Sequence, residues 1–212
     1  MSQDLNKNGS DRAAPRSSSR VKRREWLRQL RYLPDSVLHP RRRRAAELLV
    51  RSANFRSILF LCHGNICRSP FAAAVFARVL PRSVTGEIST ASAGFIGPNR
   101  SSPEKALAAG RRYGVEMSSH RSALFTSESL KSSDLIVVMS GEQGRGIRSR
   151  VAASTPVLVL GDLDPMAIEQ RTILDPWDGE DVDFEVSFGR IDRCIRELIR
   201  LMSESARNRS LH

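Results

Sequence analysis

A chain of 212 residues with an ordinary apolar share is long enough for one well-buried domain of about 150 residues, with material left for an arm or tail. No apolar run approaches the ~18 residues of a membrane-spanning helix, and the three cysteines Cys62, Cys67 and Cys194 have neither the even count of a disulfide framework nor the spacing of a zinc site. The net charge of +11 is lopsided: residues 1–54 hold 14 Lys/Arg against 5 Asp/Glu, whereas residues 55–212 hold 20 against 18. That asymmetry speaks against a uniformly basic nucleic-acid-binding domain and for a near-neutral body carrying a basic arm.

The chain opens on polar residues with no apolar stretch of the secretory type, and the cysteine usage suits a reducing compartment, so a cytoplasmic protein is expected. Residues 1–20 are rich in Ser, Asn, Arg and Asp and bury too little to offset their ordering entropy, which predicts disorder. From Arg20 to Leu33, Val21, Trp26, Leu27, Leu30 and Leu33 recur at helical intervals among basic residues, predicting a short basic amphipathic helix. Pro34 and Pro40 are expected to end it, and Ala45–Val50 forms a second short helix. The boundary then falls near Ser52–Phe55, giving a basic, partly disordered extension (1–54), a globular domain (55–206) and a flexible tail (207–212). Such an arm suits an anionic membrane surface, a nucleic acid or an acidic partner, which Coulomb attraction does not distinguish, or is a solvated extension without a partner; Trp26, Leu27 and Leu30 favour an interface, which at a membrane would hold the protein peripherally.

The body alternates strand-like and helix-like runs. Ser57–Cys62 reads as a buried strand, Pro70–Leu80 as a helix, Glu87–Ser92 as a strand and Ser101–Tyr113 as a helix. Asp134–Met139 and Pro156–Leu160 read as strands with helical Gly141–Ala152 between them, and Phe184–Met202 as a closing amphipathic helix that buries Cys194. The order predicts an α/β domain of three layers, α/β/α, around a central, mostly four-stranded parallel sheet.

The segment Cys62-His63-Gly64-Asn65-Ile66-Cys67-Arg68-Ser69-Pro70 lies where the first strand turns into the first helix of the body. Ligands of open α/β sheets bind at that end of a strand. Five residues between Cys62 and Arg68 can curl so that their backbone N–H groups converge on one anion at a helix N-terminus. Arg68 adds a planar, bidentate clamp for phosphate oxygens. The same field suits an anionic sulfur at Cys62, and Ser69 can donate to that sulfur both as nucleophile and as leaving group. A cysteine ending a buried strand is commonly just a small apolar residue; the company of Gly64, Asn65, Arg68 and Ser69 sets Cys62 apart.

CHGNICRSP resembles the nucleophile loop of the low molecular weight protein tyrosine phosphatases, and the likeness extends over roughly residues 56–204. Ser92-Ala93-Gly94, Ser119-His120-Arg121, Asp134–Met139 and Asp175-Pro176-Trp177 resemble further segments of that family. The resemblance implies that Cys62 is a metal-independent, cofactor-free nucleophile forming a phosphocysteine, that Arg68 binds the phosphate, and that Asp175 protonates the leaving oxygen and then activates water. His63, Gly64, Asn65, Ile66 and Cys67 complete the loop, with His63 contributing only its backbone N–H. The resemblance further implies that Asn65 braces the loop conformation, that Cys67 is either a reversible disulfide partner for Cys62 or an inert loop residue, and that Trp177 walls the cleft against a phosphotyrosine ring. Asp-Pro also occurs at Asp164-Pro165, and the residues alone leave both aspartates open; the aromatic Trp177 favours Asp175.

The family implies a phosphotyrosine protein as substrate and, for bacterial members, a tyrosine kinase among the targets. Departures are Ala73 where the family usually carries Glu, Ser140 in the place of the acidic residue that commonly follows Met139, and the divergent segment 95–99 beside the cleft. A redox arsenate reductase on the same fold would need two more central cysteines. A protein arginine phosphatase places Thr where Ile66 stands, so Ile66 favours an aryl ester. A non-catalytic phosphate-binding module would not need Cys62, Arg68, Ser69 and Asp175 together.

Overall fold

The structure, a computed structural model, describes residues 18–81 and 88–209, with side chains from residue 35 onward. Four parallel strands, β1 (Ser57–Cys62), β2 (Ser89–Gly94), β3 (Leu135–Val138) and β4 (Val157–Val159), form one sheet in the order β2-β1-β3-β4. The helices among the described residues are α1 (Ser18–Ser52), α2 (Arg68–Val79), α3 (Glu104–Arg112), α4 (Ser127–Lys131), α5 (Gly141–Arg148) and α6 (Asp181–Arg209), with a 3-10 turn at Leu160–Leu163.

Alternation along the two central strands separates the layers. Ile58, Phe60 and Cys62 of β1 and Leu135 and Val137 of β3 face a core closed by α2 and α6, where Phe71 stacks on Phe188 with centroids 3.9 Å apart. Leu59, Leu61, Ile136 and Val138 face the opposite core, with Leu130 of α4 and Ile147 of α5. A strand buried on both faces needs an unbroken apolar run, which is what Ile58–Leu61 supplies.

The chain leaves β1 for β2 on one side and returns to place β3 on the other, so the sheet order reverses at the carboxyl end of β1. This switch point is where the loop 62–68 sits. α2 begins at Arg68, two residues ahead of the sequence expectation. Pro70 is tolerated there because a first-turn N–H has no intrahelical acceptor to lose.

The N-terminal region departs from expectation. One helix runs from Ser18 to Ser52, through both Pro34 and Pro40. Tertiary contact outweighs the two missing N–H groups: Ala46 and Val50 are buried in the main core, Arg43 pairs with Glu197 of α6 at 2.7 Å, and Arg51 pairs with Glu204 at 2.8 Å. Residues 18–20, expected to be disordered, belong to this helix, while residues 1–17 and the side chains of Trp26, Leu27 and Leu30 lie outside the described residues. At the other end α6 continues to Arg209, past the expected start of the tail. No helix among the described residues is long and apolar enough to cross a membrane.

Candidate active site

The loop after β1 closes on its own first residue. Asn65 takes φ 50°, a left-handed conformation that Asn tolerates better than most residues, and its backbone N–H donates to Cys62 Sγ at 3.3 Å. Ser69 Oγ donates to the same sulfur at 3.0 Å. Asn65 Nδ2 donates to Ser69 Oγ and to Ser92 Oγ, each at 2.9 Å, and Asn65 Oδ1 accepts from the Ala123 N–H at 2.8 Å. Asn65 thereby ties α2, β2 and the segment after α3 to one turn of chain. Gly94 permits this approach, since a Cβ there would stand 2.9 Å from the backbone nitrogen of Asn65.

Arg68 is buried, its side chain only 4% exposed. Its Nη1 donates to the Ile173 carbonyl at 3.0 Å, and its Nη2 donates to the carboxylate of Asp175. Nε is buried with no hydrogen-bond partner among the described residues. A buried guanidinium N–H left unmatched is costly and calls for an acceptor, as an oxyanion would be.

A cavity of about 170 Å³ opens over the loop, lined in part by Cys62, Ile66, Arg100, Asp175 and Trp177. The segment 175–177 thus meets the loop 62–68 although more than 100 residues separate Arg68 from Asp175 (|i−j| = 107). Asp175 and Trp177 are partly exposed, whereas Cys62 is 2% exposed at the floor. His63 is exposed, and its carbonyl accepts from the N–H groups of Phe95 and Ile96 at 2.8 and 3.2 Å.

The second Asp-Pro is placed differently. Asp164 is fully buried and accepts from Arg190 at 2.9 Å and from Arg193 at 2.7 and 2.9 Å. Burial pushes its carboxyl up, but the Arg193 and Met166 hydrogen bonds and the charges of Arg193 and Arg190 outweigh that and hold it below the ordinary carboxylate range. Asp164 is a structural anchor. Asp134 is another: its Oδ2 accepts from the N–H groups of Arg56 and Ser57 at 2.8 and 3.0 Å at the foot of β1. Ser140 caps α5, accepting from the Gln143 N–H at 3.1 Å.

The cysteines among the described residues are free thiols. Burial pushes the Cys67 thiol up, and the negative charges of Asp175 and Cys62 push it further against Arg68 and Arg100. Burial does the same to Cys194 in the core of α6. No cluster of His, Cys, Asp and Glu able to hold a metal occurs among the described residues.

Two further residues bond to the loop: Arg100, which carries no sequence signal, and His120, which the sequence marks only through the family-like segment Ser119-His120-Arg121. Arg100 donates through Nη2 to the Gly64 carbonyl at 2.9 Å and to Ile96 O at 3.2 Å, and through Nε to Gly97 O at 2.9 Å, so it laces the divergent segment 95–99 to the loop. His120 Nε2 lies 2.7 Å from the Asn65 carbonyl, which makes it the donor there.

A Cys-X5-Arg cup between a central parallel strand and the helix it opens, at the switch point of a four-stranded sheet, defines the class of cysteine phosphatase folds with an anion-binding loop. The sequence profile described as low molecular weight phosphotyrosine protein phosphatase matches residues 57–209. The chain belongs to that family, a group of cysteine-based hydrolases. The probable low molecular weight protein-tyrosine-phosphatase EpsP of Ralstonia solanacearum is 36% identical over 143 residues, covering 66% of this chain and 91% of its own. The human low molecular weight phosphotyrosine protein phosphatase is 31% identical over 151 residues, covering 68% and 94%. Among solved structures, the tyrosine phosphatase AmsI of Erwinia amylovora superposes with a TM-score of 0.59 at 26% identity, covering 70% of this chain and 93% of its own.

Proposed function

We propose that the protein hydrolyses phosphotyrosine esters in proteins through a phosphocysteine on Cys62. The observation that carries this reading is the convergence of the Asn65 N–H and the Ser69 hydroxyl on Cys62 Sγ inside the turn that Arg68 ends. Two donors aimed at one sulfur stabilise it as an anion, the form that attacks phosphorus.

In the first step the sulfur of Cys62 bonds to phosphorus and the P–O bond to the phenol breaks. Asp175 gives its proton to the departing oxygen, while Arg68 and the loop N–H groups hold the phosphoryl oxygens. In the second step Asp175, now a carboxylate, takes a proton from water; the water oxygen bonds to phosphorus, the P–S bond breaks, and inorganic phosphate leaves. The Ser69 hydroxyl then stabilises the returning thiolate. The remaining loop residues, His63, Gly64, Asn65, Ile66 and Cys67, shape the cup, and Trp177 offers a flat apolar wall to an aromatic ring. Buried Ile66, which lines the cavity, favours an aryl ester over a phosphoarginine.

The substrates on this reading are phosphotyrosine proteins, a tyrosine kinase among them, and the site of action is the cytoplasm. The basic arm before residue 35 would bring the enzyme to an anionic membrane surface. Arg42, Arg43 and Arg51 contribute little to that attraction, since Asp35, Glu197 and Glu204 pair with them. Removal of residues 1–33 should abolish binding to vesicles containing anionic lipid; unchanged binding would refute the arm's role.

The test of the activity is hydrolysis of p-nitrophenyl phosphate and a phosphotyrosine peptide without added metal. Turnover is expected to vanish in Cys62→Ser and to slow strongly in Asp175→Ala. No turnover by the reduced wild-type protein would overturn the reading in favour of a phosphate-binding module.

A further inference from the structure

The long helix α1 lies outside the residues matched by the family profile, yet three of its side chains reach the segment that leads to Asp175. Between the 3-10 turn at Leu160–Leu163 and the start of α6 at Asp181 the chain has neither helix nor strand. Its position therefore depends on hydrogen bonds from elsewhere.

The downstream part of that segment is held by the body. Ile173 N–H donates to Met139 O at 2.9 Å, Ile173 O accepts from Arg68, and Arg190 Nη1 and Ser187 Oγ donate to the carbonyls of Thr172 and Leu174 at 3.0 and 3.1 Å. The upstream part is held by α6 through the Asp164 carboxylate and, at backbone atoms, by α1. Asp35 Oδ2 accepts from the Arg171 N–H at 3.0 Å, His39 Nε2 donates to the Asp164 carbonyl at 2.9 Å, and Arg43 Nη1 donates to the same carbonyl at 3.1 Å. All three contacts are to backbone atoms, so they fix the path of the chain rather than one side chain. Arg42 holds the other oxygen of Asp35 at 2.6 Å, and the Arg171 side chain is locked onto Asp162 by two bonds of 2.8 and 2.6 Å. From Arg171 the chain reaches Ile173, which holds Arg68, and then Asp175.

We propose that α1 is a positioning element for the acid loop, with Asp35 and His39 as positioning residues that set where Asp175 stands over the phosphate loop. The proposal rests on the reading of Asp175 as the proton donor. A proton donor is sensitive to small displacements, because its catalytic effect depends on hydrogen-bond reach to one oxygen. Displacing it harms substrates whose leaving group needs a proton and spares those whose leaving group is already a stable anion.

The experiment compares kcat/KM for 2,4-dinitrophenyl phosphate, a good leaving group, and phenyl phosphate, a poor one, in the full chain and in Asp35→Ala, Asp35→Asn, His39→Ala and Asp175→Asn. Asp35→Ala should lose about tenfold on phenyl phosphate and less than about twofold on the dinitrophenyl ester, a misplacement effect smaller than loss of the acid itself. Asp35→Asn, whose carbonyl oxygen can still accept from Arg171, should return most of the loss. His39→Ala repeats the test at the Asp164 carbonyl and should show the same leaving-group bias. Equal losses on both substrates in Asp35→Ala and His39→Ala, or no loss, would overturn the positioning role provided that Asp175→Asn shows the steep leaving-group dependence. If Asp175→Asn is itself insensitive to the leaving group, the acid assignment fails and this proposal with it.

Discussion

The hydroxyl of Ser69 lies 3.0 Å from the sulfur of Cys62 and 2.9 Å from Asn65 Nδ2. An amide nitrogen can only donate, so Ser69 Oγ accepts from Asn65 and its own proton is free to point at the sulfur. A hydrogen bond to a charged group contributes about 1.5–3 kcal/mol. Ser69→Ala is therefore expected to slow breakdown of the phosphocysteine, in which that sulfur departs, by roughly 10–100-fold. Rapid mixing with p-nitrophenyl phosphate should then reveal a larger burst of nitrophenol before a slower steady state. Steady-state turnover equal to wild type would contradict the role.

Asn65 joins four pieces of chain, so its replacement should cost both stability and activity. Asn65→Ala removes the bonds to Ser69, Ser92 and Ala123 and leaves alanine at φ 50°. A left-handed alanine costs about 1–2 kcal/mol, and loss of the hydrogen bonds to buried Ser69 and to Ser92 and Ala123 about 1–3. A urea unfolding series should show a loss of roughly 2–5 kcal/mol on these grounds. Asn65→Gly relieves only the backbone part, so it should recover about half of that stability and little of the turnover. A glycine variant with normal turnover would mean that the side-chain bonds do not shape the cup.

The residues of the loop were legible in the sequence because they are contiguous, and β1 was read at both ends because a strand buried on both faces is one apolar run. Contacts made across the sheet were not. Arg100 bonds to the Gly64 carbonyl 36 residues away with nothing in its local sequence to mark it, and the family likeness of Ser119-His120-Arg121 does not tell that His120 reaches the Asn65 carbonyl 55 residues away. α4 spans five residues, too few for a period, with the reciprocal Thr126–Ser129 cap as its only signal. The break expected at Pro34 and Pro40 failed for a complementary reason: the local rule is real, but Arg43, Arg51 and the buried Ala46 and Val50 anchor the helix to α6 and the core. The two Asp-Pro pairs were indistinguishable as dipeptides, and only the fold sends one into an arginine cage and the other to the cavity.

Cys67 provides a chemical test of the site. Its thiol is pushed up by burial and by the negative charges of Asp175 and Cys62, so it stays protonated at neutral pH, and Cys194 stays protonated through burial. The thiolate is the reactive form toward alkylating agents. Brief iodoacetate treatment of the native, reduced protein at pH 7 should label Cys62 and spare Cys67 and Cys194, with label and loss of activity advancing together. Inorganic phosphate in excess should protect. Peptide mass mapping that found Cys67 labelled as fast as Cys62 would contradict the suppression of Cys67 by burial and neighbouring charge.

Asp164 and Asp175 should separate stability from catalysis. Asp164→Asn leaves the guanidinium groups of Arg190 and Arg193 without their carboxylate in the interior, and losing one partner of a buried pair costs about 3–5 kcal/mol. Arg193 is about a third exposed, so the lower end, roughly 3 kcal/mol at pH 7, is expected once solvent screening is allowed for. The pH dependence has a fixed sign. The folded-state pKa of Asp164 lies below its ordinary value of 3.8, so its contribution is fully present above about pH 5 and is lost as pH falls through the folded value. The stability gap between wild type and Asp164→Asn, measured by urea unfolding, should accordingly be constant from pH 8 to about 5 and shrink on further acidification. Asp175→Asn should do the reverse: its side chain is 38% exposed, so unfolding should shift by less than about 1 kcal/mol, while kcat/KM for phenyl phosphate should fall by roughly 10²–10⁴ as general acid catalysis is lost. Loss of activity without loss of stability in Asp164→Asn would exchange the two assignments.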